Sequence, residues 1–173
     1  MHTLDKYLSR QQANHNLIAE PPAHDLSYAV VIPVYNEPAF ISTLNSIYET
    51  EAPKGSVEVI ALINSAESSL SSIIQQNRET EALIRNWQSE HPDFTVHPVR
   101  IEQIPDKHAG PGYARKLGMD EAVRRFALLN QHNGIILSLD ADTTCAKNYF
   151  TAIENALTNQ PGLNAGTLFF EHP

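Results

Sequence analysis

Two aspartates, Asp140 and Asp142, stand one residue apart directly after an apolar run at residues 134–139. On an extended strand, residues two apart share a face, so both carboxylates could point into one cleft. Adjacent carboxylates repel each other, and a divalent cation relieves that repulsion. Hard oxygen ligands suit Mg²⁺ or Mn²⁺, which would also neutralise a bound diphosphate. The alternative is that "DADTT" caps a following helix, because aspartate and threonine are common N-caps.

A second candidate is the stretch "KHAGPGYARK" at residues 107–116, which combines glycines with positive charge. Gly110 and Gly112 let the backbone turn tightly and approach a ligand, and Pro111 suits the first turn of a helix. The basic residues of the stretch are Lys107, His108, Arg115 and Lys116. A helix N-terminus beside such residues is a plausible diphosphate site. The alternative is an ordinary glycine turn into a helix, and we predict that Lys116 and the pair Arg124–Arg125 are solvated.

A third candidate is "VVIPVYNEP" at residues 30–38, where a strand-like run meets polar residues. Tyr35 could stack on a nucleobase, while Asn36 and Glu37 offer polar contacts. The alternative is a plain strand exit at which Asn36 and Glu37 begin a helix.

The remaining reactive side chains look structural. No zinc spacing of cysteine and histidine is present, and we predict that His91, His97 and His132 lie at the surface. Cys145 could have a lowered pKa at a helix N-terminus, but it lacks an identifiable histidine partner and is interpreted as a structural thiol.

The elements that must position these candidates alternate between strand-like and helix-like runs. The pattern predicts strands at residues 28–34, 57–63, 94–99, 134–139 and 165–170, and helices at 4–18, 37–50, 67–89, 110–130 and 147–158. This order predicts an α/β fold with a mostly parallel, Rossmann-like sheet and helices on both faces. Such sheets bind ligands beyond the carboxyl ends of their strands, where all three candidates lie.

Composition excludes several classes of function. The 173 residues suit one domain, and the net charge of −8 argues against broad binding to nucleic acid or to an anionic membrane. A single cysteine excludes an internal disulfide framework and favours a reducing compartment. No apolar run approaches the roughly 20 residues that span a bilayer, and the N-terminus has no signal-peptide core. We therefore expect a cytoplasmic protein, with no membrane association indicated by this chain.

Four blocks together resemble the family 2 glycosyltransferases. They are "VVIPVYNEPAFISTLNSI", "VEVIALINSAES", "GPGYARKLGMDEAV" and "IILSLDADTTCAKNYF", which span residues 28–150 in the family's order and spacing. The resemblance implies the A-type nucleotide-diphospho-sugar transferase fold. It also implies metal-dependent, inverting transfer of a sugar from a UDP-sugar to an unknown glycan, lipid or protein acceptor, with Mn²⁺ or Mg²⁺ as cofactor.

The resemblance assigns roles by position. Pro33, Tyr35 and Glu37 would line the nucleoside pocket, with Tyr35 against the base. Asn64 stands where the family usually has an aspartate, because the common "DDGS" is here "INSA"; its amide can still accept from and donate to uracil.

The same resemblance assigns the charged residues of the site. Arg115 would reach toward the diphosphate or the base. Asp140 would lie near the ribose and the metal, and Asp142 would be the surer metal ligand.

The resemblance also divides the chain and leaves a gap. We expect an N-terminal helical or irregular extension at 1–27 and a nucleotide-sugar-binding domain at 28–173 that the natural protein continues. The family's general base follows the D-x-D block, and we assign no catalytic residue here. An inactive fragment or a non-catalytic binding module is therefore the main alternative. Haloacid dehalogenase-like phosphatases are disfavoured, because "LSLDADTT" lacks the glycine that usually follows their aspartates directly, and no lysine follows Lys147. Sugar-nucleotide pyrophosphorylases are disfavoured because the first strand lacks their glycine-rich loop.

Overall fold

A computed structural model describes residues 3–11, 16–168 and 171 of the chain. Its strands are β1 (Leu26–Val34), β2 (Ser56–Ala66), β3 (Thr95–Ile104) and β4 (Ile135–Ser138). Its helices are α1 (Thr3–Gln11), α2 (Phe40–Tyr48), α3 (Ser71–Glu90), α4 (Pro111–Leu128) and α5 (Tyr149–Asn159). The strands form one sheet in the order β3-β2-β1-β4, and every pair is parallel. The predicted α/β architecture is confirmed.

The central strand β1 is buried on both faces, which explains its near-continuous apolar sequence. Val30 and Ile32 belong to the core formed with α2, α3 and α5, whereas Ala29 and Val31 belong to the core formed with α4. Helices therefore cover both faces of the sheet, as predicted.

Helix α4 lies unusually close to the sheet because a glycine faces it. A Cβ atom at Gly118 would lie 2.5 Å from Val31 Cγ1. Ala114 and Ala122, one turn to either side, are also fully buried. These small residues let the helix pack directly on the sheet.

The strand order reverses at β1, which defines where a ligand can bind. The chain runs from β1 outward through β2 to β3, and then returns to place β4 on the other side of β1. In parallel α/β sheets, ligands bind beyond the carboxyl ends of the strands near such a reversal.

Several element boundaries differ from the sequence prediction. Strand β3 continues through Pro98 to Ile104. Of the first predicted helix, residues 16–18 are not helical, and residues 12–15 lie outside the described residues. The predicted strand at 165–170 is wrong for residues 165–168, while 169–170 lie outside the described residues. Residues 160–168 are exposed and pair with no strand of the described sheet, so they bury nothing that would stabilise an extended conformation.

The segment before β1 packs on the same core as the rest of the chain. Ile18 is 3% exposed, and β1 already begins at Leu26. Charged side chains bind backbone groups of the segment: Ala23 N–H donates to the buried Glu58, and the partly buried Arg124 donates to Ile18 O. The division of the chain at residue 27 stays a prediction, but residues 17–26 contribute to the same folded unit.

Two predictions of solvated side chains are wrong. Arg125 is fully buried and donates from Nε to Glu58 Oε2 at 2.5 Å, and His97 lies within β3 with 13% of its side chain exposed. Burial raises the pKa of the Glu58 carboxyl, but contacts with His97, Arg125 and the Ala23 N–H lower it to about 2. Arg125 is buried because α4 presents it to the sheet face where β2 supplies a carboxylate.

Among the described helices, none is long and apolar enough to cross a membrane.

Candidate functional site

A cavity of about 320 Å³ lies at the carboxyl ends of β1 and β2. Its lining residues are Pro33, Tyr35, Asn64, Ala66, Ala109, Gly110 and Pro111. The fold thus brings together three residues from the predicted nucleoside site and the glycine turn that begins α4. Sequence reasoning missed Ala66 and Ala109, because small apolar residues carry no chemical signal of their own.

Tyr35 forms one wall of the cavity, immediately after β1. Its side chain is half exposed, at 50%, as a platform for a flat ligand requires. The next residue, Asn36, has a φ of 51°, a left-handed conformation that asparagine tolerates better than most residues. Asn36 N–H donates to Asn77 Oδ1 at 2.9 Å, which fixes the loop.

Glu37 lies outside this cavity in the described structure. Its Oε1 accepts from Ala39 N–H at 3.1 Å, just before α2 begins at Phe40. The alternative interpretation, that Asn36 and Glu37 begin a helix, is wrong because α2 begins three residues after Glu37. The role of Glu37 in nucleotide binding stays a prediction.

Asn64 forms the opposite wall, near the end of β2. It is 4% exposed, and its backbone carbonyl accepts from Asn77 Nδ2 at 3.0 Å. The cavity lining consists of prolines, alanines, a glycine, a tyrosine and this amide, so it carries no carboxylate or ammonium group. Such a lining suits a neutral, flat ligand group better than a charged one.

The third wall is the beginning of α4, which is open to solvent. No side chain caps the helix at Gly110, and a Cβ atom at Gly110 or Gly112 would meet no atom within 4 Å. The first N–H groups of a helix lack partners within the helix, so this end can accept an anion. Of the predicted basic flank, Lys107 and His108 are exposed, while Lys116 is bound to Asp120 at 2.6 Å.

Arg115 and Asp140 form an ion pair beside this helix end. Arg115 Nε also donates to Ser138 Oγ at 3.2 Å, at the last residue of β4. The side chains of Arg115 and Asp140 are 33% and 62% exposed, so the pair faces solvent. The structure therefore joins two predicted site residues that come from separate sequence blocks.

The two aspartates lie in a turn and not on an extended strand as expected. Strand β4 ends at Ser138, and Thr143 N–H donates to Asp140 O at 3.2 Å. Their interpretation as helix caps is also wrong, because α5 begins at Tyr149 with Asn148 as its N-cap. Asp142 is exposed like Asp140, so both carboxylates are accessible from solvent, with Asp140 paired to Arg115.

The carboxylates of this site suit a cation that is also bound by ligand phosphates better than a cation held by the protein alone. Within the described residues, no three histidine, cysteine, aspartate or glutamate side chains gather around a common point. Mg²⁺ is commonly held by one or two carboxylates together with substrate phosphates. Asp140 and Asp142 could be the two carboxylate ligands that the protein supplies.

Cys145 does not take part in this chemistry. Burial raises the pKa of its thiol to about 11, so a thiolate nucleophile is disfavoured. This agrees with the prediction of a structural thiol.

No family model and no curated protein matches the chain. Among solved structures, S. aureus TarS residues 1–349 matches with 17% identity and a TM-score of 0.52 over 79% of this chain and 33% of that one. The same protein in complex with UDP matches equally, and in complex with UDP-GlcNAc it matches with 18% identity, a TM-score of 0.52 and 32% of its chain covered. The chain thus spans about a third of the length of these structures. It shares its α/β fold with a protein solved in complexes with UDP and UDP-GlcNAc, in agreement with the fold that the sequence resemblance implied.

Proposed function

We propose that this chain binds a nucleotide-diphospho-sugar, with UDP-sugar as the donor, and forms the donor-binding part of a glycosyltransferase. The observation that carries the proposal is the cavity where Pro33, Tyr35 and Asn64 meet the open start of α4. The shared fold with a protein solved with UDP and UDP-GlcNAc supports it.

The cavity walls suit a pyrimidine base. The Tyr35 ring would stack on the flat face of the base. The Asn64 amide carries one acceptor and two donor hydrogens, which match the N3–H and carbonyl groups of uracil. Pro33 would complete the apolar floor. We propose a supporting role for Glu37, through the shape of the loop that carries Tyr35.

The diphosphate would lie between the α4 N-terminus and Arg115. The helix end offers unpaired N–H groups and Arg115 offers a fixed fork of donors for phosphate oxygens. Because Arg115 is paired with Asp140 in the absence of ligand, the diphosphate would compete with Asp140 for the guanidinium.

Asp140 and Asp142 would hold Mn²⁺ or Mg²⁺ together with the diphosphate, with Asp142 as the more direct ligand. When bound, such a cation neutralises the charge of the leaving diphosphate. Since the protein supplies only these two carboxylates within the described residues, we expect weak cation binding alone and tighter binding with UDP.

The reaction we propose is displacement at the anomeric carbon with inversion. The oxygen of an acceptor hydroxyl forms the new bond, the bond to the diphosphate oxygen breaks, and the hydroxyl proton passes to a general base. The described cavity lining contains no carboxylate or imidazole that could take this proton. The acceptor, which could be a glycan, a lipid or a protein, and the base belong to a surface outside this cavity.

The test is thermal melting with UDP, with Mn²⁺ and with both, on the wild type, Asp142→Asn and Asp25→Asn. A ligand that binds only the folded state raises the melting temperature. We expect the largest shift with both ligands, its loss in Asp142→Asn, and its retention in Asp25→Asn. Asp25 is a matched control because it is an exposed aspartate before β1, at the other end of the sheet. Absence of any shift in the wild type would refute donor binding.

A second candidate function is a nucleotide-sugar-binding module without transfer. Two observations favour it: Ile63–Asn64 stands in place of two acids near the end of β2, and the cavity lining contains no candidate base. Incubating the chain with UDP-GlcNAc and Mn²⁺ and measuring released UDP separates the two. UDP release above the rate without protein would exclude the module. Binding without release agrees with both candidates, because transfer also needs an acceptor and a base from outside this cavity.

A further inference from the structure

The side chain of Asn77 on α3 connects two walls of the cavity. It is 2% exposed, so its amide is almost wholly removed from water. Its Nδ2 donates to Asn64 O at 3.0 Å, and its Oδ1 accepts from Asn36 N–H at 2.9 Å. The first partner, Asn36, directly follows Tyr35 in one wall of the cavity. The second partner is the backbone carbonyl of Asn64, which forms another wall.

The position of this amide coincides with the end of backbone pairing between β1 and β2. The last paired residues of the two strands are Val34 and Ile63. Beyond them the chains separate around the cavity, and the Asn36 N–H and Asn64 C=O would be left without partners. The Asn77 amide supplies one donor and one acceptor in place of the lost backbone ladder.

We propose that Asn77 is a positioning residue that sets the separation of Tyr35 and Asn64, and thereby the width of the base pocket. This inference rests on the proposed function of the cavity. Asn77 does not line the cavity and would act only through the backbone of its two partners. The left-handed conformation of Asn36 directs its N–H inward to Asn77, so the amide and the loop conformation support each other.

A purely structural role makes a different prediction. If Asn77 only satisfies buried polar groups, its loss would lower stability without a selective effect on the cavity. A substitution of equal cost elsewhere on the same helix face would then have the same consequences. Ile84 offers that comparison, because it is fully buried two turns further along α3 and lies away from the cavity lining.

The experiment compares the full chain with Asn77→Ala, Asn77→Asp and Ile84→Ala. Calorimetry measures the Kd for UDP with Mn²⁺, and hydrogen exchange measures protection at residues 35–37 and 64–66 without ligand. We expect Asn77→Ala to raise the Kd about tenfold, as the loss of one to two hydrogen bonds would, and to speed exchange at Asn36. Ile84→Ala should change neither, although it lowers stability.

The Asn77→Asp variant separates the two hydrogen bonds. At neutral pH its carboxylate can still accept from Asn36 N–H, but it cannot donate to Asn64 O. We expect protection at Asn36 to persist and UDP binding to weaken, with recovery of binding as falling pH protonates the carboxyl group. Such a pH profile is absent from a merely structural role.

The outcomes are distinct. Equal effects of Asn77→Ala and Ile84→Ala on exchange at residues 35–37, or unchanged exchange there, would overturn the positioning role. If wild type binds no UDP, the proposed function fails, and the exchange data alone decide whether Asn77 holds the two walls together.

Discussion

Helix α4 carries two arginine–carboxylate pairs with opposite environments. Near its start, Arg115 pairs with Asp140, and their side chains are 33% and 62% exposed. Near its end, Arg125 pairs with Glu58, and their side chains are 0% and 2% exposed. The same chemistry thus faces solvent beside the candidate site and lies in the core at the other end of the helix.

The difference in exposure shows which ion pair can be replaced by contacts with a ligand. The buried pair has further partners within the protein, because Arg125 Nη1 donates to Glu20 O at 2.9 Å and Ala23 N–H donates to Glu58 at 2.9 Å. Separating these charges would leave each of them buried without its charged partner. The open pair is weakened by solvent, so a ligand phosphate or a cation can replace either member at little cost.

The largest expected effect comes from breaking the buried pair. Arg125→Ala should lower the free energy of unfolding by about 3–5 kcal/mol, because Glu58 would be left as an uncompensated buried charge. Urea denaturation measures this, with Arg115→Ala as the control at the open pair. A loss below about 1 kcal/mol would mean that water reaches Glu58 and that the contrast between the pairs is false.

Acid should affect the buried pair next most strongly. The pKa of Glu58 in the folded state is about 2, against 4.5 ordinarily, so its stabilising contribution is complete above pH 4.5 and is lost as the pH falls toward 2. The shift corresponds to about 3 kcal/mol. Denaturation curves between pH 6 and pH 2 measure it, and Glu58→Gln should flatten this part of the profile. An unchanged profile in Glu58→Gln would assign the acid sensitivity to other carboxylates.

Double-mutant cycles measure the coupling free energy of each ion pair, so that the two pairs can be compared directly. For Glu58→Ala with Arg125→Ala we expect a coupling free energy of about 2 kcal/mol, because each partner is costly to bury without the other. For Asp140→Ala with Arg115→Ala we expect less than about 0.5 kcal/mol. Equal couplings would remove the distinction between a structural pair and an exchangeable one.

The smallest effect on stability is expected at the open pair. Arg115→Gln should change the free energy of unfolding by less than about 0.5 kcal/mol, as exposed substitutions usually do. The same variant should bind UDP more weakly, because it loses a charged donor for phosphate. Parallel denaturation and calorimetry test both statements. Strong destabilisation with unchanged UDP binding would assign Arg115 to the fold and not to the site.

Much of the fold could be predicted from the sequence, because each signal is local. Apolar β-branched runs separated by amphipathic stretches indicate parallel strands with crossover helices, and the sheet confirms them. The family resemblance assigned Pro33, Tyr35 and Asn64 to the nucleoside site, and all three line the cavity.

Only the tertiary structure decided what the polar residues do. Arg124 and Arg125 are adjacent arginines that local sequence signals do not distinguish. Arg125 is fully buried because it pairs with Glu58, a residue 67 positions away in the sequence. Asn77 bonds to Asn36 across 41 positions, and Asp140 bonds to Arg115 across 25. Apolar side chains are buried wherever periodicity places them, since hydrophobic burial has no direction. A polar side chain is buried only if a partner meets it, and that partner is set by the folding of distant segments onto each other.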